Sequence, residues 1–203
     1  MVKISKKIKM STEINNIIVT NNLDGYILPK NDNYFTEYSK INHLKSNTNF
    51  SGSAGFAIFL KNKKFLFVDG RYTIQAEIEA GKKFKVCEIP YVWPKNILNK
   101  KSKIGFNPNL FTKETLNKYF GNEYCLVPVN FDFNNKYKNK NPFFALNSTV
   151  AGESVNKKIN RLINIMKKKR IDYNFISSGE NICWLLNIRG KDLPNSPVAT
   201  CKI

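Results

Sequence analysis

Histidine is almost missing from this sequence: His43 is the one imidazole among 203 residues. No H-x-H or H-E-x-x-H spacing is therefore available, and the fifteen acidic residues are spread through the chain without a cluster. A metal centre needs convergent donors, and none is visible. Cysteine is sparse too. Cys87, Cys125, Cys183 and Cys201 are widely spaced and form no C-x-x-C, which argues against a zinc knuckle or a vicinal redox pair. The first three of them sit among apolar residues, where a free thiol packs as a small hydrophobe. No run approaches the ~20 apolar residues that a membrane helix requires. The first ten residues are basic but lack the apolar core of a signal peptide. These absences read as a reduced, cytoplasmic protein with no membrane partner. Nucleotide fingerprints are absent as well, both the P-loop and G-x-G-x-x-G. Ser51, Ser53 and Ser148 have no plausible base nearby, and no G-x-S-x-G elbow presents a nucleophile.

What is present suits a folded core. Hydrophobic residues make up 42% of the chain and aromatic residues 13%. The length admits one large or two small domains. The net charge of +18 invites a nucleic-acid reading, but only Arg71, Arg161, Arg170 and Arg189 of the 33 basic residues are arginine. A nucleic-acid footprint is clustered, often arginine-bearing and interleaved with aromatics. Here lysines are scattered among asparagines and isoleucines, apart from Lys3 to Lys9 and Lys167 to Arg170. Their stems cover apolar surface while their amines stay in water. The expectation is a solvated lysine face and no nucleic-acid partner.

Hydrophobic periodicity gives the organisation. Ser11 or Thr12 caps a helix with Ile14, Ile17 and Ile18 on one face, ended by Asn21-Asn22. Tyr26 to Leu28 reads as a strand closed by Pro29, and Asn33 to Ile41 as a second helix. Strands are expected at Phe84–Ile89, Lys103–Phe106 and Cys125–Val129, with a helix Lys113–Phe120 capped by Thr112. This alternation predicts parallel pairing with crossover helices. Asn134 to Asn141 has no apolar period and reads as loop or linker. Beyond it Val155, Ile159, Leu162, Ile163 and Met166 share one face of an amphipathic helix. Residues 197–203 read as a strand cut in mid-run, which suggests a fragment or a truncated reading frame.

A partial repeat crosses this boundary. Residues 14–38 run helix, Leu-Asp-Gly-Tyr-Ile-Leu, then Asp32-Asn33-Tyr34. Residues 159–185 run helix, Ile-Asp-Tyr-Asn-Phe-Ile, then Glu180-Asn181-Ile182. Asp24 and Asp172 match at the same offset as Asn33 and Asn181, as duplication would give. Shared helix, turn and strand grammar is the bland alternative, and true duplication is the preferred reading.

Residues 51–77 are the densest passage. A turn, Ser51-Gly52-Ser53-Ala54-Gly55, precedes a strand at Phe56–Leu60. Lys61-Asn62-Lys63 turns the chain into a second strand, Lys64–Val68. Asp69-Gly70 ends it, and a helix is expected from Arg71, with Asp69 as its cap and Gly81 at its C-terminus. Ile74 and Ile78 lie one turn apart on that helix. Gly52, Gly55 and Gly70 mark places where a side chain would be costly.

This passage resembles the N-terminal region of Xaa-Pro aminopeptidases of the creatinase/aminopeptidase P family, which carries a G-S-A-G turn, a hairpin and D-G-R-Y-x-x-Q-A in this order. The resemblance extends through Leu23-Asp24-Gly25-Tyr26-Ile27-Leu28-Pro29, Ala151-Gly152-Glu153-Ser154 and Asn181 to Asp192. It implies a ribonuclease H-like fold: an α/β domain with a mixed sheet flanked by helices, followed by the start of a second, similar domain. The expected division is residues 1–133, a linker over 134–154, and an incomplete second domain over 155–203. The family removes the N-terminal residue from peptides with proline in second position. Two divalent metals, usually manganese, activate a water and polarise the scissile carbonyl. Their ligands, two aspartates, a histidine and two glutamates, belong to a C-terminal catalytic domain and match no positions here.

The resemblance therefore implies no catalytic residue, metal ligand or cofactor in this chain. Peptide substrate would be met through the catalytic domain, and the full protein would be a homodimer. The expected role of this part is to restrict substrate access and support dimerisation. The other readings are a stand-alone binding module and a basic nucleic-acid-binding protein. Arg71, within D-G-R-Y, either pairs with Asp69 or an adjoining carboxylate, or shapes the substrate entrance. His43 either faces a neighbouring active site or, as a lone loop histidine, is solvated. Glu77 and Glu79 read as a solvated helix face, and Trp93 and Trp184 as buried rather than stacking on substrate.

Overall fold

A computed structural model describes residues 13–36, 42–130 and 141–203. They fall into two compact units, one from residues 13–32 and 42–130 and the other from 33–36 and 141–203. The expected cap at Ser11 or Thr12, the lysines of 3–9 and the loop residues 134–140 lie outside the described residues.

The first unit is built on one mixed sheet. Helix α1 (13–20) precedes β1 (Gly25–Pro29), α2 (His43–Thr48) and the hairpin β2 (Phe56–Leu60) and β3 (Lys64–Asp69). Then come α3 (Thr73–Ala80), β4 (Lys85–Ile89), α4 (Pro94–Ile97), β5 (Lys103–Phe106), α5 (Lys113–Phe120) and β6 (Cys125–Pro128). The strand order is β4-β3-β2-β1-β5-β6. β1 and β3 both run antiparallel to β2, while β4, β5 and β6 join in parallel to β3, β1 and β5. The sheet is therefore mixed, and the strands after residue 84 pair in parallel as the alternation of elements predicts.

Both faces of the sheet are covered, so the central strands are apolar without a break rather than alternating. Tyr26, Leu28, Ala57, Phe59, Leu66 and Val68 face the helix residues Ile14, Ile17, Ile18, Leu44, Ala76 and Ala80. Ile27, Phe56, Ile58, Phe65 and Phe67 fill the opposite face with Leu116 and Phe120 of α5. On that side Phe56 stacks between Phe67 and Tyr119, at 4.6 and 4.3 Å between ring centroids. Helix α3 lays its small residues, Ala76 and Ala80, on the sheet. Ile74 and Ile78 do share a face, but it is the outer one, and each is 77% exposed.

Two local expectations fail. Residues 33–34 form a turn and 35–36 are irregular, not the start of a helix, and Phe35 has a left-handed φ of 57°. The remainder of that expected helix, 37–41, is outside the described residues. Helix α3 begins at Thr73 rather than Arg71, with Tyr72 at its cap position and no side-chain cap bond. Gly81 does close it, with an ordinary right-handed φ of −56°.

The second unit contains β7 (Phe144–Ala145), α6 (Ser148–Ala151), α7 (Val155–Lys168), α8 (Gly179–Leu185) and β8 (Ile188–Arg189). Residues 141–154, read from sequence as linker, thus carry two short elements. Its sheet is the two-residue antiparallel pair β7–β8. The strand-like runs 174–176 and 197–203 form no ladder. They meet through one reciprocal pair of backbone bonds, Ile176 N–H to Ile203 O at 2.7 Å and the reverse at 3.1 Å. A single such pair leaves the flanking groups without the neighbours that a sheet supplies. The helix α7 forms as its periodicity predicts. Its apolar residues Ile159, Leu162 and Met166 are only half-buried, and its one buried side chain is Lys158.

Candidate functional site

The Gly/Ser turn, the end of β3 and the start of α3 fold onto one another. Phe50, fully buried, anchors the turn, and a Cβ at Gly52 would run into its ring. Gly55 adopts φ +147°, and a Cβ there would lie 2.8 Å from the Phe67 carbonyl oxygen. That angle is open to glycine and closed to most side chains. Close passage of the turn over β3 is thus what these glycines permit. At Gly70 the one close neighbour is the Glu88 carboxylate, at 2.9 Å, which is the mobile end of a side chain.

The polar groups of this corner form one network. Glu79 accepts hydrogen bonds from the Ser51 backbone N–H (2.6 Å), from Ser51 Oγ (2.7 Å) and from Gln75 Nε2 (3.1 Å). Gln75 Nε2 also donates to Ser51 Oγ at 2.9 Å. Ser53 Oγ and Tyr72 Oη are 2.8 Å apart, and the Tyr72 ring meets Phe50 edge-on at 5.8 Å. Arg71 lies over Tyr72, its Cζ 5.3 Å from the ring centroid. Asp69 holds Arg71 three ways: Oδ1 accepts from the backbone N–H and from Nε, each at 3.0 Å, and Oδ2 from a terminal guanidinium nitrogen at 2.7 Å. The carboxylate expected to cap the helix instead orients the arginine that precedes it. The Arg71 side chain is nevertheless 72% exposed.

Electrostatics follow from these bonds. Hydrogen bonding from the Arg71 side chain, against a small burial penalty, holds the Asp69 carboxyl below its ordinary range. Burial pushes Glu79 up, but hydrogen bonds from Ser51 and Gln75, helped by the charge of Lys45, outweigh it and hold the carboxyl low. A carboxylate so stabilised is a poor proton acceptor. It therefore fixes Ser51 in place rather than activating it, and no nucleophile–base pair results. Reading Glu79 as a solvated helix face is overturned by its three donors. The Gln75–Glu79 spacing of one helical turn was visible in the sequence. The partner Ser51, 28 residues away, was not.

His43 is not a solvated loop residue. It opens α2 and is 8% exposed, and its carbonyl oxygen accepts from Asn47 Nδ2 at 2.8 Å. It belongs to a helix packed on β1 and β2, whereas Arg71 stands in the β3–α3 connection. Trp93 is half-buried against Tyr119, with ring centroids 5.8 Å apart, and Trp184 is 52% exposed.

In the second unit the segments Ala151–Ser154 and Asn181–Asp192, separate in sequence, come together. Asn187 Nδ2 donates to the Glu153 carbonyl at 2.8 Å. The Lys158 amine, 4% exposed, donates to the Trp184 carbonyl and to Asn187 Oδ1, each at 2.7 Å, and lies 4.4 Å from the Trp184 ring centroid. The amine thus reaches from α7 to the C-terminal end of α8, where a cation meets a carbonyl of the last turn favourably. Glu153 receives Arg161 in a fork at 2.9 and 3.1 Å.

A metal pair does not fit these residues. Among the described residues no three His, Cys, Asp or Glu side chains converge. Asp69 and Glu79 are committed as above, Asp24 accepts from the Lys103 N–H, and Asp192 accepts from Thr200. No step through a metal is assigned to this chain.

Comparison with known proteins agrees with this architecture. The family model described as the creatinase/prolidase N-terminal domain matches residues 12–129, and a second model of the same description matches residues 134–203. Xaa-Pro aminopeptidase 1 of Dictyostelium discoideum is 28% identical over 97% of the chain, and a probable Xaa-Pro aminopeptidase P of Laccaria bicolor is 29% identical over 92%. The chain spans about a third of their lengths, 35% and 32%. The crystal structure of an X-prolyl aminopeptidase from Caenorhabditis elegans, described as a cytosolic enzyme with a di-nuclear active site, superposes with a TM-score of 0.82. The two are 25% identical, across 100% of this chain and 37% of that one.

Proposed function

The chain belongs to the creatinase/prolidase N-terminal domain family, and from that premise we propose that it is the non-catalytic N-terminal part of a metal-dependent Xaa-Pro aminopeptidase. The carrying observation is the superposition of the whole chain on about a third of an X-prolyl aminopeptidase with a di-nuclear centre. In this reading the rest of the protein supplies two divalent ions, manganese by preference, and the water they activate. It removes the N-terminal residue from peptides with proline in second position, in the cytoplasm and as a homodimer. The part described above contributes access control and dimer support.

Within that role Arg71 is the residue offered to substrate. Asp69 fixes two of its nitrogens, Tyr72 supports its face, and the side chain still projects into solvent. An oriented guanidinium suits a peptide carboxylate or carbonyl. His43 acts from beneath the surface, by packing, and not by touching substrate.

Two measurements test this. The 203-residue chain alone, with added manganese, should not cleave Xaa-Pro peptides. In the full enzyme Arg71→Ala should raise KM or lower kcat/KM while the melting temperature of the isolated chain stays put. Divalent-dependent turnover by the chain alone would refute its non-catalytic assignment. Unchanged kinetics in the full enzyme would reduce Arg71 to the partner of Asp69.

A further inference from the structure

Two of the four cysteines converge in the second unit. Cys183, on α8, has its Sγ 3.9 Å from the Ala199 carbonyl oxygen and 3.3 Å from the Ala199 N–H nitrogen. Cys201, two residues further on, has its Sγ 3.5 Å from the same Ala199 oxygen. One backbone atom is therefore addressed by both thiols. The segment bearing Cys201 is held in place at this point. A Cβ at Gly179 would lie 2.7 Å from the Ala199 oxygen, and one at Gly190 would lie 2.8 Å from the Ala199 Cα. Ala199 is thus clamped between the start of α8 and the end of β8. Asp192 adds a second tie by accepting from the Thr200 N–H and hydroxyl, at 2.8 and 3.0 Å.

We propose that Cys183 and Cys201 are a reversible disulfide site, closed by an oxidant of the low-molecular-weight disulfide class. The site is independent of the peptidase reading. Cys201 is half-buried and Cys183 buried, so the outer thiol meets the oxidant first. Its thiolate attacks one sulfur of RSSR, forming a mixed disulfide and expelling RS⁻. The Cys183 thiolate then attacks the Cys201 sulfur and expels the second RS⁻. The two protein protons convert both leaving groups to RSH. The protein loses two electrons, and RSSR gains them. Burial, then the neighbouring Cys183 and Asp192, push the Cys201 thiol up, which lowers its thiolate fraction and makes its attack on the oxidant slow. In a reducing compartment the open form dominates. Cys87, buried on β4, and Cys125, exposed on β6, belong to the first unit.

The test is peptide mapping of the 203-residue chain after incubation with oxidised glutathione, with remaining thiols alkylated in denaturant. The expected product is a peptide pair joining Cys183 to Cys201, lighter by two hydrogens, with neither site alkylated. Dithiothreitol should restore alkylation at both. The melting temperature should rise by several degrees on oxidation. That rise should vanish in Cys201→Ser and persist in Cys125→Ser. The proposal is overturned if both cysteines remain alkylated, if each carries only glutathione, or if the cross-link joins separate copies. Should Cys201→Ser fold poorly, the map of the unsubstituted chain still decides.

Discussion

A side chain at Gly55 would have to sit 2.8 Å from the Phe67 carbonyl oxygen with φ held at +147°. Gly55→Ala should therefore destabilise the first unit by about 1–3 kcal/mol, the scale of backbone strain and forced displacement. At Gly70 the obstacle is a movable Glu88 carboxylate, and φ is not left-handed. Gly70→Ala should cost less than about 1 kcal/mol, since a mobile surface group gives way. Urea unfolding of the two variants measures the difference, and equal losses would contradict this account. From sequence both glycines looked alike, because spacing reveals a turn but not what lies opposite it. The Asp69–Arg71 pair is more legible, two residues apart and largely exposed. An exposed pair contributes about 0–1 kcal/mol, so Arg71→Ala should barely change the unfolding midpoint. Its consequence lies in where the guanidinium points.

At the scale of elements, α3 is tied to the Gly/Ser turn by Glu79, whose carboxyl is held below its ordinary value. A lowered folded value means that the unfolded chain binds the proton more readily. The stabilisation is then complete above about pH 4.3, the unperturbed value, and fades as pH falls through the folded value. Glu79→Gln should be less stable than the parent near neutrality and should show a flatter acid limb, read from urea midpoints across that range. A parallel loss at every pH would mean that the carboxylate charge is irrelevant. In the second unit Lys158→Met should destabilise by about 1–3 kcal/mol, because Asn187 Oδ1 loses its amine donor and the Trp184 carbonyl loses one of its donors. Helix α7 is legible in sequence from its periodicity, yet that pattern gives Lys158 no buried role. A lysine and two acceptors 26 and 29 residues away leave no periodic trace. The strands of the first unit were legible because they are short apolar runs between turn residues. The expected strand at 197–203 was not realised, because a ladder depends on neighbours that a local pattern cannot supply.

For the molecule as a whole, the charge of +18 is carried mostly by dispersed lysine. Binding to DNA should be weak and should fall steeply with added salt, as counterion release requires. Tight, sequence-selective binding at physiological ionic strength would overturn the solvated-surface account. The two units also differ in a way that light reports. The chain has two tryptophans, and each compact unit holds one. Trp93 rests half-buried on Tyr119, within 5.3 Å of the Lys118 amine, while Trp184 is half open to solvent beneath Lys158 and Arg161. Indole emission depends on solvent contact and on adjacent cations, so the two fluorophores should emit at different wavelengths. Trp93→Phe and Trp184→Phe then become single-colour reporters. Their unfolding curves coincide if the units melt as one and separate if each melts alone.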